Sequence, residues 1–263
     1  MTQLLEIDDL SVQFAGLKAL TAVSLHARSG EVKAVIGPNG AGKTTLFNVI
    51  TGYTQPSSGR IRFRGEEISR EPPHLISQRG IRRTFQNGGL FGDITVLENV
   101  LCGLHTRTGS GFFGLLFGTR GATAAEREAV ARARSLLDMM GIRDVEDRVA
   151  RDLSGGQQRI VEITRAIASD PSLLLLDEPA VGLTPPARDQ LVEVIRRLAG
   201  ERGVGVLLVE HSIDMVMKGS DLIVVLNGGQ RIAEGKPDEI RQNKEVLDAY
   251  LGYGSGYSGD SRA

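Results

Sequence analysis

The chain has 263 residues, 41% of them hydrophobic, and its 31 basic and 32 acidic side chains leave a formal net charge of −1. That length and apolar content suit one large domain or a core with a subdomain, and the even charge gives no overall basic field, so no nucleic-acid partner is expected. A single cysteine, Cys102, excludes an internal disulfide and a cysteine-rich zinc site; its apolar helical setting reads as a buried thiol in a reducing cytosol.

The acidic start, Met1 to Asp9, lacks a signal-peptide pattern, and no apolar run approaches the ~20 residues needed to cross a bilayer, so a soluble chain is expected. From Leu4 to Phe85 the pattern is strand-rich: Leu4 to Phe14 closed by a turn at Ala15-Gly16, then Ala22 to Ala27, Val32 to Ile36, and Arg60 to Arg64 after Pro56-Ser-Ser-Gly59. The strand ending at Ile36 runs into Gly37-Pro38-Asn39-Gly40-Ala41-Gly42-Lys43-Thr44-Thr45, which fits the phosphate-binding P-loop pattern in full. Its glycines let successive N–H groups face inward, and a helix starting near Gly42 adds its positive dipole end. Lys43 can then reach the β- and γ-phosphates of a nucleotide, and the Thr44 hydroxyl suits a Mg²⁺ position. Glycines alone would also fit an ordinary strand-to-helix turn; Lys and Thr at these places argue against it.

Between about Asn87 and Asp170 the pattern turns helical, with candidates at Thr95 to Leu104, Ala124 to Met140 and Gly156 to Ser169, read as an inserted helical subdomain. Ala129, Ala133, Leu136, Leu137 and Met140 recur there at helix spacing. Within it Leu153-Ser-Gly-Gly-Gln-Gln-Arg159 places Ser154, Gly155, Gly156 and Gln157 at a helix N-terminus, where a serine hydroxyl and backbone N–H groups form a second anion site; Ser154 also reads as a plain N-cap, and both roles are compatible. Leu173-Leu-Leu-Leu-Asp-Glu-Pro179 is a buried strand ending in two carboxylates. Neighbouring side chains on a strand end point apart, so Asp177 can hold a Mg²⁺ shell while Glu178 polarises an attacking water; the alternative is a pair of solvated strand-end residues. Val204 to Glu210 is a further buried strand of an α/β sheet, with a polar helix before it. The Gly/Ser-rich tail after Gly252 reads as disordered.

With these motifs in this order, Gln86 after Thr-Phe and His211 after Leu-Leu-Val-Glu, the chain resembles an ATP-binding-cassette (ABC) ATPase over nearly its whole length. The resemblance implies an α/β fold, a P-loop NTPase cassette with an inserted α-helical subdomain and an N-terminal antiparallel β part. It implies one domain over 4–252, with 4–86 and 171–252 as the RecA-like core and β subdomain, 87–170 as the helical subdomain, and 253–263 as tail. It further implies that ATP and Mg²⁺ are held between the P-loop of one subunit and the Leu-Ser-Gly-Gly-Gln segment of another, so that hydrolysis needs a dimer. Gln86 then contacts the metal or water, His211 orients the γ-phosphate, and Phe14 stacks on adenine. Taken alone, each of these three is more simply a surface amide, a capped residue or a packing residue. Thr184 stands where many such ATPases have Asp, and carries no charge.

Thr44-Thr-Leu-Phe-Asn-Val-Ile-Thr-Gly52, Arg83-Thr-Phe-Gln-Asn87 and Ala249-Tyr-Leu-Gly252 are similar to the larger ATPase subunit of branched-chain amino-acid importers. That likeness implies transmembrane permease subunits, a second ABC ATPase subunit in a homo- or heterodimer, a periplasmic binding protein acting indirectly, and a peripheral place on the cytoplasmic face of the inner membrane. Importers of urea, short amides or other carboxylates use similar ATPases. Residues 105–123 resemble the extra segment of the larger subunit, and their apolar run Gly111 to Gly118 is too short to span a bilayer; it reads as self-packing or as a permease or lipid contact. A soluble cassette ATPase acting on DNA or ribosomes is the rival of another class, but a duplicated or coiled-coil-bearing architecture is missing. A P-loop kinase would have no use for Leu-Ser-Gly-Gly-Gln.

Overall fold

A computed structural model describes residues 2–84, 89–108 and 124–251. Gln86, the apolar run at 111–118 and the tail from 253 lie outside them. Two sheets organise the chain. The first is antiparallel, with β1 (Gln3–Phe14), β2 (Leu17–Arg28), β4 (Ser58–Phe63) and β5 (Glu66–Glu67) in the order β2-β1-β4-β5. Ala15 and Gly16, with φ of 43° and 94°, make the two-residue turn expected between its first strands, because left-handed turn residues match the twist of a hairpin. β2 therefore begins five residues before the expected Ala22. Ala22 itself sits at φ 48° in a bulged stretch opposite Ser11, which interrupts the alternation that marks a strand.

The second sheet has β3 (Val32–Ile36), β6 (Ile81–Arg83), β7 (Leu173–Asp177), β8 (Gly205–Val209), β9 (Leu222–Asn227) and β10 (Gln230–Gly235), in the order β10-β9-β3-β8-β7-β6. All its pairings are parallel except β9 with β10. Every residue of β3, β7 and β8 is buried, as continuous apolar strands covered on both faces must be. Alternate side chains serve opposite faces. Leu173, Leu175, Leu207 and Val209 join the antiparallel sheet and α1 (Lys43–Ile50) in one apolar cluster, around the fully buried Phe47 and Ile50. Leu174, Leu176, Val206 and Leu208 join the other, with helices on their side. At roughly 1.5–3 kcal/mol for each fully buried large side chain, these two layers fix the position of the sheet edge.

A short α2 (Pro73–Gln78) precedes β6. Three helices then follow in the expected places: α3 (Val96–Thr108), α4 (Ala124–Met139) and α5 (Gly155–Ala168). On α4 and just beyond it, Ala133, Leu136, Leu137 and Met140 are buried and Ala129 packs half-buried against them, as the periodicity predicts. Those residues are continuous with the β7–β8 face, so the helical segment does not close a core of its own. The polar helix expected between β7 and β8 is α6 (Pro185–Arg202); α7 (Ile213–Gly219), α8 (Pro237–Gln242) and α9 (Lys244–Leu251) complete the described residues. Cys102 corrects an expectation: it is only partly buried on α3, directly after the covered Val100 and Leu101. Among the described residues no helix is long and apolar enough to cross a membrane.

Candidate nucleotide site

Because β8 lies between β3 and β7, the carboxyl ends of three adjacent parallel strands deliver Gly37, His211 and Asp177–Glu178 to one sheet edge, the place where open α/β sheets bind ligands. The turn after β3 admits no side chain at two of its glycines. A Cβ at Gly37 (φ 152°) would stand 2.1 Å from the Leu226 carbonyl oxygen, and one at Gly42 (φ 102°) 2.7 Å from Leu20 Cδ2. Pro38 and Ala41 are buried, Asn39, Gly40 and Thr44 exposed, and Thr45 half-buried, so the loop presents backbone and the Thr44 hydroxyl outward.

Lys43 is buried and turned back on the loop: Nζ donates to the carbonyls of Gly37 at 2.6 Å and Pro38 at 3.0 Å. Burial holds its pKa below the ordinary lysine value, against the opposing pull of Glu178 and Asp177. The loop from Asn39 to Thr45 lines a groove of about 520 Å³ whose other walls include Phe14, Glu178, His211 and Gly228. Phe14, at the tip of the β1–β2 hairpin, is 48% exposed, a large ring left uncovered beside a polar cradle.

On the opposite wall Asp177 is buried, and its Oδ2 accepts from Arg83 Nη2 at 2.7 Å. Glu178 follows at φ 48°, a left-handed conformation that costs a non-glycine residue about 1 kcal/mol or more and turns its side chain out of the strand. Its N–H still donates to Val209 at 2.8 Å, and its Oε1 meets His211 Nε2 at 3.0 Å. The buried Glu210, which the sequence did not single out, locks the segments after β7 and β8 by accepting from the N–H groups of Ala180 at 2.6 Å and His211 at 3.0 Å.

Ser154 caps α5 in a reciprocal capping box: its Oγ accepts from Gln157 N–H at 3.3 Å, and Gln157 Oε1 from Ser154 N–H at 3.1 Å. Ser154 and Gly155 are exposed, Gly156 and Gln157 half-buried. The P-loop groove is walled by other segments, whereas Gly155 lines a second cavity of about 660 Å³ that shares Glu178 with it. Thus the structure brings Lys43, Thr44, Asp177, Glu178, His211 and Phe14 together and sets the Ser154 turn apart. Thr184 is exposed and begins α6 without a side-chain cap. Tyr250 was noted in the sequence only as part of Ala249-Tyr-Leu-Gly252. Burial raises its phenol pKa, and a backbone hydrogen bond with Gly37 offsets part of the rise, so α9 touches the P-loop.

The chain matches the ABC transporter family over residues 20–181. It belongs to that family. The ABC chain also matches the branched-chain amino acid ATP-binding cassette transporter family over residues 230–254, the segment holding Tyr250. It is 44% identical to the high-affinity branched-chain amino acid transport ATP-binding protein BraF of Pseudomonas aeruginosa, across 95% of this chain and 98% of that protein. It is 40% identical to LivG of Escherichia coli K12, a protein of the same description, over the same shares of each chain. Among solved structures it is similar to the ADP conformation of MJ1267, an ATP-binding cassette of an ABC transporter, with a TM-score of 0.82 and 34% identity over 96% of this chain and all of that one. The dimeric bacterial cassette MJ0796 is similar with a TM-score of 0.73 and 26% identity, over 89% of this chain and 98% of that one.

Proposed function

We propose that this ABC chain is the ATP-hydrolysing subunit of an importer for branched-chain or other hydrophobic amino acids, peripheral to the cytoplasmic face of the membrane. The observation that carries the reading is the convergence of Lys43, Asp177, Glu178 and His211 on one sheet edge, in a chain 40–44% identical to branched-chain transport ATP-binding proteins. Residues 4–252 act as one domain, with 87–170 as its helical subdomain.

The P-loop backbone from Gly37 to Thr45 cradles the phosphates of ATP, and Lys43 leaves the Gly37 and Pro38 carbonyls to reach the β- and γ-phosphates. Phe14 stacks on the base. Thr44 and Asp177 would offer oxygen donors to Mg²⁺, a cation that takes one or two carboxylates and fills the rest of its shell from phosphates and water; Gln86, assigned with them, lies outside the described residues. A Mg²⁺ ion held by these residues would supply charge neutralisation to the phosphates of ATP. Glu178 takes a proton from the attacking water, and His211, 3.0 Å from it, orients both carboxylate and γ-phosphate.

Ser154 and Gly155 are exposed and Gly156 and Gln157 half-buried at a helix N-terminus, and other segments wall their own P-loop groove; they serve the ATP of a second ABC subunit. Closure of that dimer on ATP and its release after hydrolysis drives attached permease subunits, to which a periplasmic binding protein brings the solute. The test is a mild-detergent pull-down from native membranes with tagged Glu178→Gln chain and ATP. Recovery of two unlike permeases and a second cassette ATPase is expected. Permeases for urea or amides would redirect the solute, and ribosomal or DNA-repair proteins without membrane proteins would sink the importer reading.

A further inference from the structure

Arg83 ends the three-residue edge strand β6, yet its side chain is only 6% exposed. A guanidinium that deep needs compensating partners, and they come from the end of β7 and from the P-loop helix α1. Nη2 donates to Asp177 Oδ2 at 2.7 Å, while Nη1 donates to Asn48 Oδ1 at 2.7 Å and to Thr51 Oγ1 at 3.3 Å, both on or directly after the P-loop helix α1. The plane lies over the Phe47 ring, 5.6 Å from its centroid. Next along the strand, Thr84 accepts from the Asp177 N–H at 3.4 Å through Oγ1 and donates its own N–H to Leu175 at 3.0 Å. A further arginine, Arg159 of α5, donates to the Asp177 carbonyl. Asp177 is therefore gripped at side chain and backbone by the strand that leads to Gln86.

We propose that Arg83 is a positioning residue for the metal-binding carboxylate, fixing Asp177 relative to the P-loop helix so that the two walls of the Mg·ATP site keep one spacing. The assignment rests on the functional reading above. The contact is made by Oδ2 of the carboxylate. A planar fork with donors aimed in two directions can span Asp177 and Asn48 at once, which a lysine point charge cannot. An arginine anchored to Asn48, Thr51 and the Phe47 face does not exchange with the cation. It orients the carboxylate, as outer-shell partners of metal ligands do. The same bridge ties the state of the metal site to β6 and so to the segment that follows it.

The test measures Mn²⁺ binding by electron paramagnetic resonance in the full chain with a non-hydrolysable ATP analogue, together with thermal melting and metal-free nucleotide affinity. Arg83→Met should weaken Mn²⁺ binding about tenfold or more, with metal-free nucleotide affinity little changed. Arg83→Lys should recover melting temperature but stay well below the unaltered chain in Mn²⁺ affinity. Asn48→Ala, which removes one anchor and keeps the ion pair, guards against a folding defect and should weaken Mn²⁺ binding by a smaller factor. Equal or tighter Mn²⁺ binding in Arg83→Met overturns the assignment in favour of a competing countercharge. Full recovery by Arg83→Lys, or loss of folding in Arg83→Met with Mn²⁺ binding untouched in Asn48→Ala, overturns it in favour of simple charge balance or packing. If the unaltered chain binds no Mn²⁺ with nucleotide, the functional reading itself falls.

Discussion

His211 Nε2 stands 3.0 Å from Glu178 Oε1, and the two residues come from the ends of adjacent parallel strands, β8 and β7. The strained φ of 48° at Glu178 and the Glu210 clamp on the His211 N–H keep them facing each other. Glu178→Gln keeps the shape but loses the proposed base, so ATP should still bind while hydrolysis falls by about 10²–10⁴-fold and ATP-bound dimers accumulate. His211→Ala should lower turnover with less effect on ATP affinity. Steady-state ATPase assays and size-exclusion chromatography with ATP check both; near-normal turnover in Glu178→Gln would remove it from the base role.

The capping box at Ser154 allows two roles of one hydroxyl to be separated. Ser154→Ala removes the cap and should cost about 0.5–2 kcal/mol of stability, read by urea unfolding. Ser154→Asn keeps the cap and replaces the hydroxyl, so stability should hold. If the exposed turn serves a partner's phosphate, both variants lose ATP-driven dimerisation, Ser154→Asn included. Normal dimerisation and turnover in Ser154→Asn would leave Ser154 as a cap only.

What was legible in the sequence divides by range. β3 and β7 lie where the apolar runs Val32–Ile36 and Leu173–Asp177 place them, and α1 starts one residue after Gly42, because glycine geometry and buried-strand composition act locally. β9, a six-residue run bounded by Gly228-Gly229, was not expected: a short continuous apolar run has no period to tell strand from buried helix. β6 and the half-exposed β10 are too short or too mixed to carry a pattern. The site residues announced themselves through motif spacing, but their supports did not. Arg83 is 94 positions from Asp177 and Glu210 is 30 from Ala180, and only the sheet order β8-β7-β6 makes them neighbours.

Cys102 offers a pH-dependent probe of how tightly α3 is covered. Partial burial disfavours the thiolate and raises the pKa above the ordinary thiol value, with Arg165 pulling the other way. Since only the thiolate is nucleophilic, alkylation by iodoacetamide should be slow at neutral pH, and its midpoint should lie above that of free cysteine. A midpoint at or below the free value, followed by mass spectrometry across pH, would show that Arg165 outweighs burial.

Lys43 carries a cost in the nucleotide-free chain. Its pKa lies below the unfolded value because burial penalises the cation, so folding is penalised in full below the lowered pKa, and the penalty fades as pH rises toward the unfolded value. Lys43→Met keeps the length of the side chain without the charge. At neutral pH it should melt no lower than the unaltered chain, and the difference should shrink in alkaline buffer. The same variant should lose most of the thermal shift that ATP gives, because the phosphates lose a charge-assisted donor. A melting temperature several degrees lower without nucleotide would mean that the bonds to the Gly37 and Pro38 carbonyls outweigh desolvation, and that the loop depends on Lys43 for its shape before ATP arrives.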